Sequence, residues 1–149
     1  MNRTRVRAII VENNSLVLIH RKKTDRDYFV FPGGGVESEE GLEGALAREC
    51  LEELGVNVDV KNLQYKFVEK SGATQFFYRC SINGGVFGSG KGREFSSENS
   101  LNQYALERVD INRLRDMPIF PDEIKQRFCL DVEDYRRDVA PPYKEINEL

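Results

Sequence analysis

Long apolar runs, paired cysteines and an excess of one charge are all missing from this chain, and each absence removes a class of protein. None of the 149 residues belongs to a hydrophobic stretch approaching the length of a membrane span. The apolar run after the basic start, Ala8 to Val11, is too short for a secretion signal and stops at Glu12. Cys50, Cys80 and Cys129 are odd in number, far apart and in no Cys-x-x-Cys arrangement. That argues against a disulfide framework or a zinc site and fits a reducing cytoplasm. A net charge of −3 without a dense basic stripe excludes a general binder of nucleic acid polymers. His20 is the single histidine, and no Ser or Cys nucleophile is placed to need it, so it reads as a structural residue at a strand end.

What is present is ordinary in bulk and unusual in one place. Hydrophobic residues make up 40% and charged residues 32%, as expected of a soluble globular domain with one core. Residues 5–11 and 16–21 are β-rich around the turn cluster Glu12-Asn13-Asn14-Ser15, which predicts a hairpin. Tyr28 to Phe31 predicts a short strand leading into a turn at Pro32 to Gly35. A helix is expected from about Ser38 to Leu54, ended by Gly55. Strands are expected at 56–60, 65–69, 74–82 and 103–109, and a last helix from Pro121 to about Leu130. Residues 1–130 then form one domain. Residues 131–149, charged and carrying Pro141-Pro142, read as a loosely attached tail.

The unusual place is Pro32 to Val56, where seven glutamates face one base, Arg48. Glu49, Glu52 and Glu53 fall within about 100° of one helix face, because residues three and four apart are neighbours. Leu46, Ala47, Cys50, Leu51 and Leu54 cover the adjoining, buried sector. Like charges at this spacing repel, and Glu52 and Glu53 also sit where the helix dipole disfavours anions. A bound divalent cation reverses both penalties. Oxygen ligands suit a hard ion, Mg²⁺ first, with Mn²⁺ or Ca²⁺ next. Gly33, Gly34 and Gly35 would let the backbone approach such an ion and phosphates without a Cβ in the way. A solvated acidic helix is the plainer reading of the glutamates alone; the glycine turn and Arg48 at their spacing weigh against it.

Gly34, five residues, Glu40, seven residues, then Arg48-Glu49-Cys50-Leu51-Glu52-Glu53-Leu54-Gly55-Val56 resembles the complete Nudix box of the MutT-like hydrolases. Every specified position is met, with Cys50 a less usual apolar choice. The resemblance implies an α/β (α+β) fold of the Nudix type, an α/β/α sandwich with a mixed β-sheet between helices. It implies a metal-dependent, magnesium-using hydrolase that splits the pyrophosphate bond of a nucleoside diphosphate linked to another moiety. By position, Glu49, Glu52 and Glu53 would be metal ligands together with the carbonyl of Gly33. Arg48 would orient one of the glutamates, and Glu40 would contribute structurally or through water. Glu52, Glu53 or, from outside the box, Glu98 would be the general base, with Glu94 a second candidate outside it. The partner would be a nucleotide-type small molecule, with no membrane involved. Homodimers are common in the family.

Other residues are candidates for substrate contact. Arg3, Arg5 and Arg7 alternate along the first strand; either they keep an exposed edge soluble, or Arg5 and Arg7 reach phosphates or base. Tyr28 is a candidate for stacking on a base. Gly85, four residues, Gly90, Lys91 imitates a phosphate loop, but Gly92 stands where Ser or Thr must hold Mg²⁺ and no helix follows, so that reading is rejected. The segment then reads as a mobile loop, or as one whose Lys91 touches substrate. A Nudix-like ligand sensor without turnover is the alternative function, and an acidic Ca²⁺-binding module a further one. Triphosphates, dinucleoside polyphosphates, ADP-ribose and nucleotide sugars all remain as substrates, short length leaning away from ADP-ribose.

Overall fold

The structure, a computed structural model, describes residues 3–90 and 102–149. Alternating sequence in the first third builds β1 (Thr4–Glu12), β2 (Ser15–Lys23) and β3 (Arg26–Val30). The β1–β2 turn is made by Asn13 and Asn14, both at positive φ, which asparagine tolerates better than most residues. The expected turn at Pro32 to Gly35 is instead a strand, β4 (Gly33–Gly35), antiparallel to β1 with Arg5, Val6 and Arg7 opposite Gly35, Gly34 and Gly33.

Helix α1 (Leu42–Leu54) begins four residues later than the sequence pattern suggests. Glu39 adopts a left-handed φ of 66°, and the Glu40 carboxylate accepts from the Glu37 N–H at 3.0 Å, so residues 37–41 turn before the helix can start. The helix stops at Gly55, whose φ of 78° is the left-handed cap and whose N–H donates to the Leu51 carbonyl at 3.0 Å.

The two strands expected after the helix are one bulged strand, β5 (Val56–Val68), with register shifts near Asn57, Val60 and Leu63. Antiparallel β6 (Thr74–Gly85) returns beside it, and β7 (Asn102–Asp110) pairs along β2. A 3₁₀ helix (Ile111–Asp116), β8 (Ile119–Phe120) and α2 (Asp122–Leu130) follow. Among the described residues nine strands form one mixed sheet in the order β8-β3-β2-β1-β6-β5-β9, with β4 added to β1 and β7 to β2.

Helices cover both faces. Val6, Ala8 and Ile10 of β1 pack with Ala45, Leu46, Cys50 and Leu54 of α1. Ile9, one residue out of phase, joins Phe31, Phe77, Ile124 and Phe128 on the α2 side. Each fully buried Leu or Phe contributes about 1.5–3 kcal/mol by leaving water. This is the mixed-sheet α+β sandwich expected. β1 is an interior strand, so its arginines are not an exposed edge face.

The segment 131–149 is not the loosely attached tail read from its charge. Helix α3 (Val132–Arg136) places Tyr135 in the core, and β9 (Lys144–Asn147) extends the sheet parallel to β5. The Tyr65 hydroxyl donates to Asp131 at 2.6 Å and accepts from Tyr135 at 3.0 Å, while Gln64 donates to the carbonyls of Pro141 and Pro142. Burial of these few anchors outweighs the polarity of the rest. No helix among the described residues is long and apolar enough to cross a membrane.

Candidate active site

The glycine strand and the acidic helix face meet. At Gly34 a Cβ would lie 2.6 Å from the Glu49 carboxyl carbon, so the bare backbone of β4 is what admits that carboxylate. Next to it the Gly33 N–H donates to Glu53 Oε1 at 2.9 Å. Gly33 cannot be replaced cheaply: its φ is +142°, and a Cβ would sit 1.9 Å from the Val6 carbonyl oxygen. Glu53 is buried to 5% exposure, an unusual place for a carboxylate.

Arg48 holds the acids in position. Its Nε and Nη2 donate to the two oxygens of Glu40 at 2.7 and 2.9 Å, a bidentate clamp. Nη1 reaches Glu49 at 3.1 Å and Glu52 at 3.3 Å, and Nη2 also donates to the Gly35 carbonyl. These hydrogen bonds from Arg48 lower the Glu40 carboxyl to about 2, and Glu40 in turn raises the Arg48 guanidinium above its ordinary value. The guanidinium thus partly offsets the repulsion among Glu40, Glu49 and Glu52.

The donors fit a hard divalent ion. Glu49, Glu52, Glu53 and the β4 backbone all offer oxygen donors, and the Gly34 cradle brings one carboxylate against that backbone. Among the described residues, no three His, Cys, Asp or Glu side chains are grouped so as to hold a metal ion. Glu52, with 55% of its side chain exposed, is turned to Arg48.

A family model described as the NUDIX domain matches residues 1–147. The chain belongs to the NUDIX family. A candidate nudix hydrolase of Caenorhabditis elegans is 36% identical over 83 residues, 52% of this chain and 23% of that protein. The MutT-like protein of Streptomyces ambofaciens is 35% identical over 80 residues, 52% of this chain and 50% of that protein. The chain therefore spans at most about half the length of these relatives. A solved ADP-ribose pyrophosphatase from Streptococcus suis shares the NUDIX fold with a TM-score of 0.66 and 17% identity, covering 99% of this chain and all of that one.

Two clefts flank β4 in this NUDIX domain. The first, about 350 Å³, is lined by Arg7, Phe31, Phe77, Gln75, Glu69 and Phe120, among others. Its polar groups form a chain: Gln75 donates to Glu69 at 3.1 Å, and Arg7 donates to Gln75 at 3.1 Å and to the Phe31 carbonyl at 3.1 Å. Burial lowers the Arg7 pKa to about 10, with Glu53 opposing and Arg5 and Arg21 adding to the fall. The second cleft is lined by Arg3, Thr4, Arg5, Gly35, Val36 and Leu42.

Of the predicted site residues, the fold brings together Gly33, Arg48, Glu49, Glu52 and Glu53, and places Arg7 and Arg5 at the two clefts. Tyr28 lines neither cleft. Its ring is 8% exposed, under the Arg26 guanidinium and edge-on to Phe120, so it is not open for stacking on a base. Lys91, Glu94 and Glu98 lie outside the described residues. Within 86–90 the Gly88 N–H donates to the Leu54 carbonyl, and Gly90 lies against the carbonyls of Glu52 and Glu53. His20 sits on β2 between Asp27 and Glu107, stacked on Phe29. The sequence reading missed Gln75, Glu69 and Phe120. The alternation of β6 puts Gln75 and Phe77 on one face, but only its register against β1 shows which face is the cleft.

Proposed function

We propose that this chain hydrolyses the pyrophosphate bond of a nucleoside diphosphate linked to another group, using a divalent ion, Mg²⁺ or Mn²⁺. One observation carries the reading: Glu49 and Glu53 rest on the backbone of Gly34 and Gly33 while Arg48 donates to Glu49 and to Glu52 beside them. Glu49, Glu52, Glu53 and the Gly33 carbonyl would hold the ion, which when bound neutralises phosphate charge and makes an attacking water more acidic.

The remaining chemistry belongs to the chain. Arg7 and the aromatic walls of the first cleft bind and orient the nucleoside end. Water adds to one phosphorus, the bridging P–O bond breaks, and its electron pair leaves with the departing phosphate. The water proton goes to a carboxylate; Glu52 is the more accessible candidate beside buried Glu53, and Glu98 is the candidate outside the box. Arg48 keeps the acid row aligned through these changes. The unpaired cysteines fit action in a reducing cytoplasm.

The test is release of phosphate or nucleoside monophosphate from a broad nucleotide panel with Mg²⁺ and then Mn²⁺. Metal-dependent turnover is expected, falling roughly 100-fold or more in Glu52→Gln and Glu53→Gln. Nucleotide binding without turnover on any member would replace this reading with a ligand sensor.

A further inference from the structure

The two clefts differ in charge, and the difference has a direction. The first carries Glu69, Asp122, Glu123 and Glu148 against the single cation Arg7. The second is lined by Arg3 and Arg5 and by no acid. Among the described residues neither guanidinium has a hydrogen-bond or ion-pair partner. This sets them apart from Arg48, Arg79, Arg127 and Arg136, each of which has a carboxylate within 4 Å.

The register of β1 orders the parts. Arg7 is opposite Gly33 and Arg5 opposite Gly35, so the two clefts lie toward opposite ends of the strand carrying the acid cradle. Arg5 and Arg7 share a β1 face and are about 7 Å apart along the strand. A substrate lying across β4 with its base in the acidic, aromatic cleft therefore extends its other end toward Arg3 and Arg5. A phosphate in the first cleft would meet four carboxylates. In the second it meets two cations and the floor of Gly35.

We infer that the substrate binds in one direction and that the group beyond its diphosphate is itself anionic, a further phosphate chain held by Arg3 and Arg5 rather than an uncharged sugar. The inference rests on the proposed hydrolysis for its substrate but not for its binding site. It selects nucleoside triphosphates and dinucleoside polyphosphates over nucleotide sugars. Arg suits this task because its planar fork keeps its charge and matches phosphate oxygens.

Two measurements on the full chain separate this inference from the hydrolase reading. Isothermal titration with inorganic tripolyphosphate, without metal, should show binding that weakens at least tenfold in the double variant Arg3→Gln/Arg5→Gln. Arg137→Gln, an exposed arginine after α3, should bind as the wild type does, which excludes a general charge effect. The ratio of kcat/KM for a triphosphate to that for a nucleotide sugar of the same base should also fall at least tenfold in the double variant. Equal tripolyphosphate binding by wild type and double variant, or a wild-type preference for the sugar, overturns the inference. Tripolyphosphate binding lost in the double variant, but with no turnover of any nucleotide, sustains it while removing the hydrolase reading.

Discussion

The Gly33 N–H and the Glu53 carboxylate, 20 residues apart in sequence, are joined by a 2.9 Å hydrogen bond at the buried seam between β4 and α1. Through it the glycine strand and the acidic helix act as one unit. A buried carboxylate without such a donor would carry a desolvation cost of several kcal/mol. The bond also sets where Glu53 points, and its neighbour Glu49 is set by the absence of a side chain at Gly34.

Two adjacent glycines should therefore fail differently. Gly33→Ala drives a Cβ to 1.9 Å from a backbone oxygen at a φ of +142°, so it should cost roughly 3 kcal/mol or more, or prevent folding. Gly34→Ala meets only the movable end of Glu49 at 2.6 Å. It should keep stability within about 1 kcal/mol while turnover falls roughly 100-fold from a misplaced carboxylate. Urea unfolding and kcat/KM on the same samples check both; equal stability losses would show that Gly34 serves the fold and not the acid.

Acid should loosen the Arg48 clamp. Glu40 has a folded pKa of about 2 against an ordinary 4.5, chiefly through its hydrogen bonds from Arg48. A depressed carboxylate stabilises the fold fully above about pH 4.5, and that stabilisation is lost as pH falls through about 2. Glu40→Gln should then be less stable than wild type at neutral pH, with the gap closing as the pH is lowered across this window. Urea midpoints measured at pH 7 and pH 3 would test it, and a gap of constant size would exclude the carboxylate as its cause.

Removing residues 131–149 should unfold the domain rather than trim it. The deletion strips Tyr135 from the core, leaves the buried Gln64 amide and Tyr65 hydroxyl without their partners, and bares the β5 edge. Each orphaned buried polar group costs about 1–3 kcal/mol, which together approaches the whole stability of a typical domain. The point variant Tyr65→Phe, keeping the ring, should cost only roughly 1–2 kcal/mol. Thermal melts of both proteins decide it; a truncated chain that melts like wild type would mean the terminal segment adds nothing.

Local sequence was enough to gather the acids of the candidate site on one helix face. Glu49, Glu52 and Glu53 share a face because an α-helix repeats every 3.6 residues, and Gly33 to Gly35 announce a close backbone approach because nothing else lacks a Cβ. Spacing along one chain segment carries that information without any partner. The identity of the clefts does not lie in any one segment. Arg7, Gln75 and Phe31 come together through the pairing of β1 with β6 and β4, and Tyr28 is covered by Arg26 and Phe120. The terminal segment likewise looks polar by composition, yet Tyr135, Asp131, the prolyl carbonyls held by Gln64 and the pairing of β9 with β5 anchor it. A helix face or a glycine's freedom is settled by neighbours a few residues away. Which strand edge, which cleft and which tail is buried depends on contacts 60 to 80 residues apart, and those exist only once the sheet has closed.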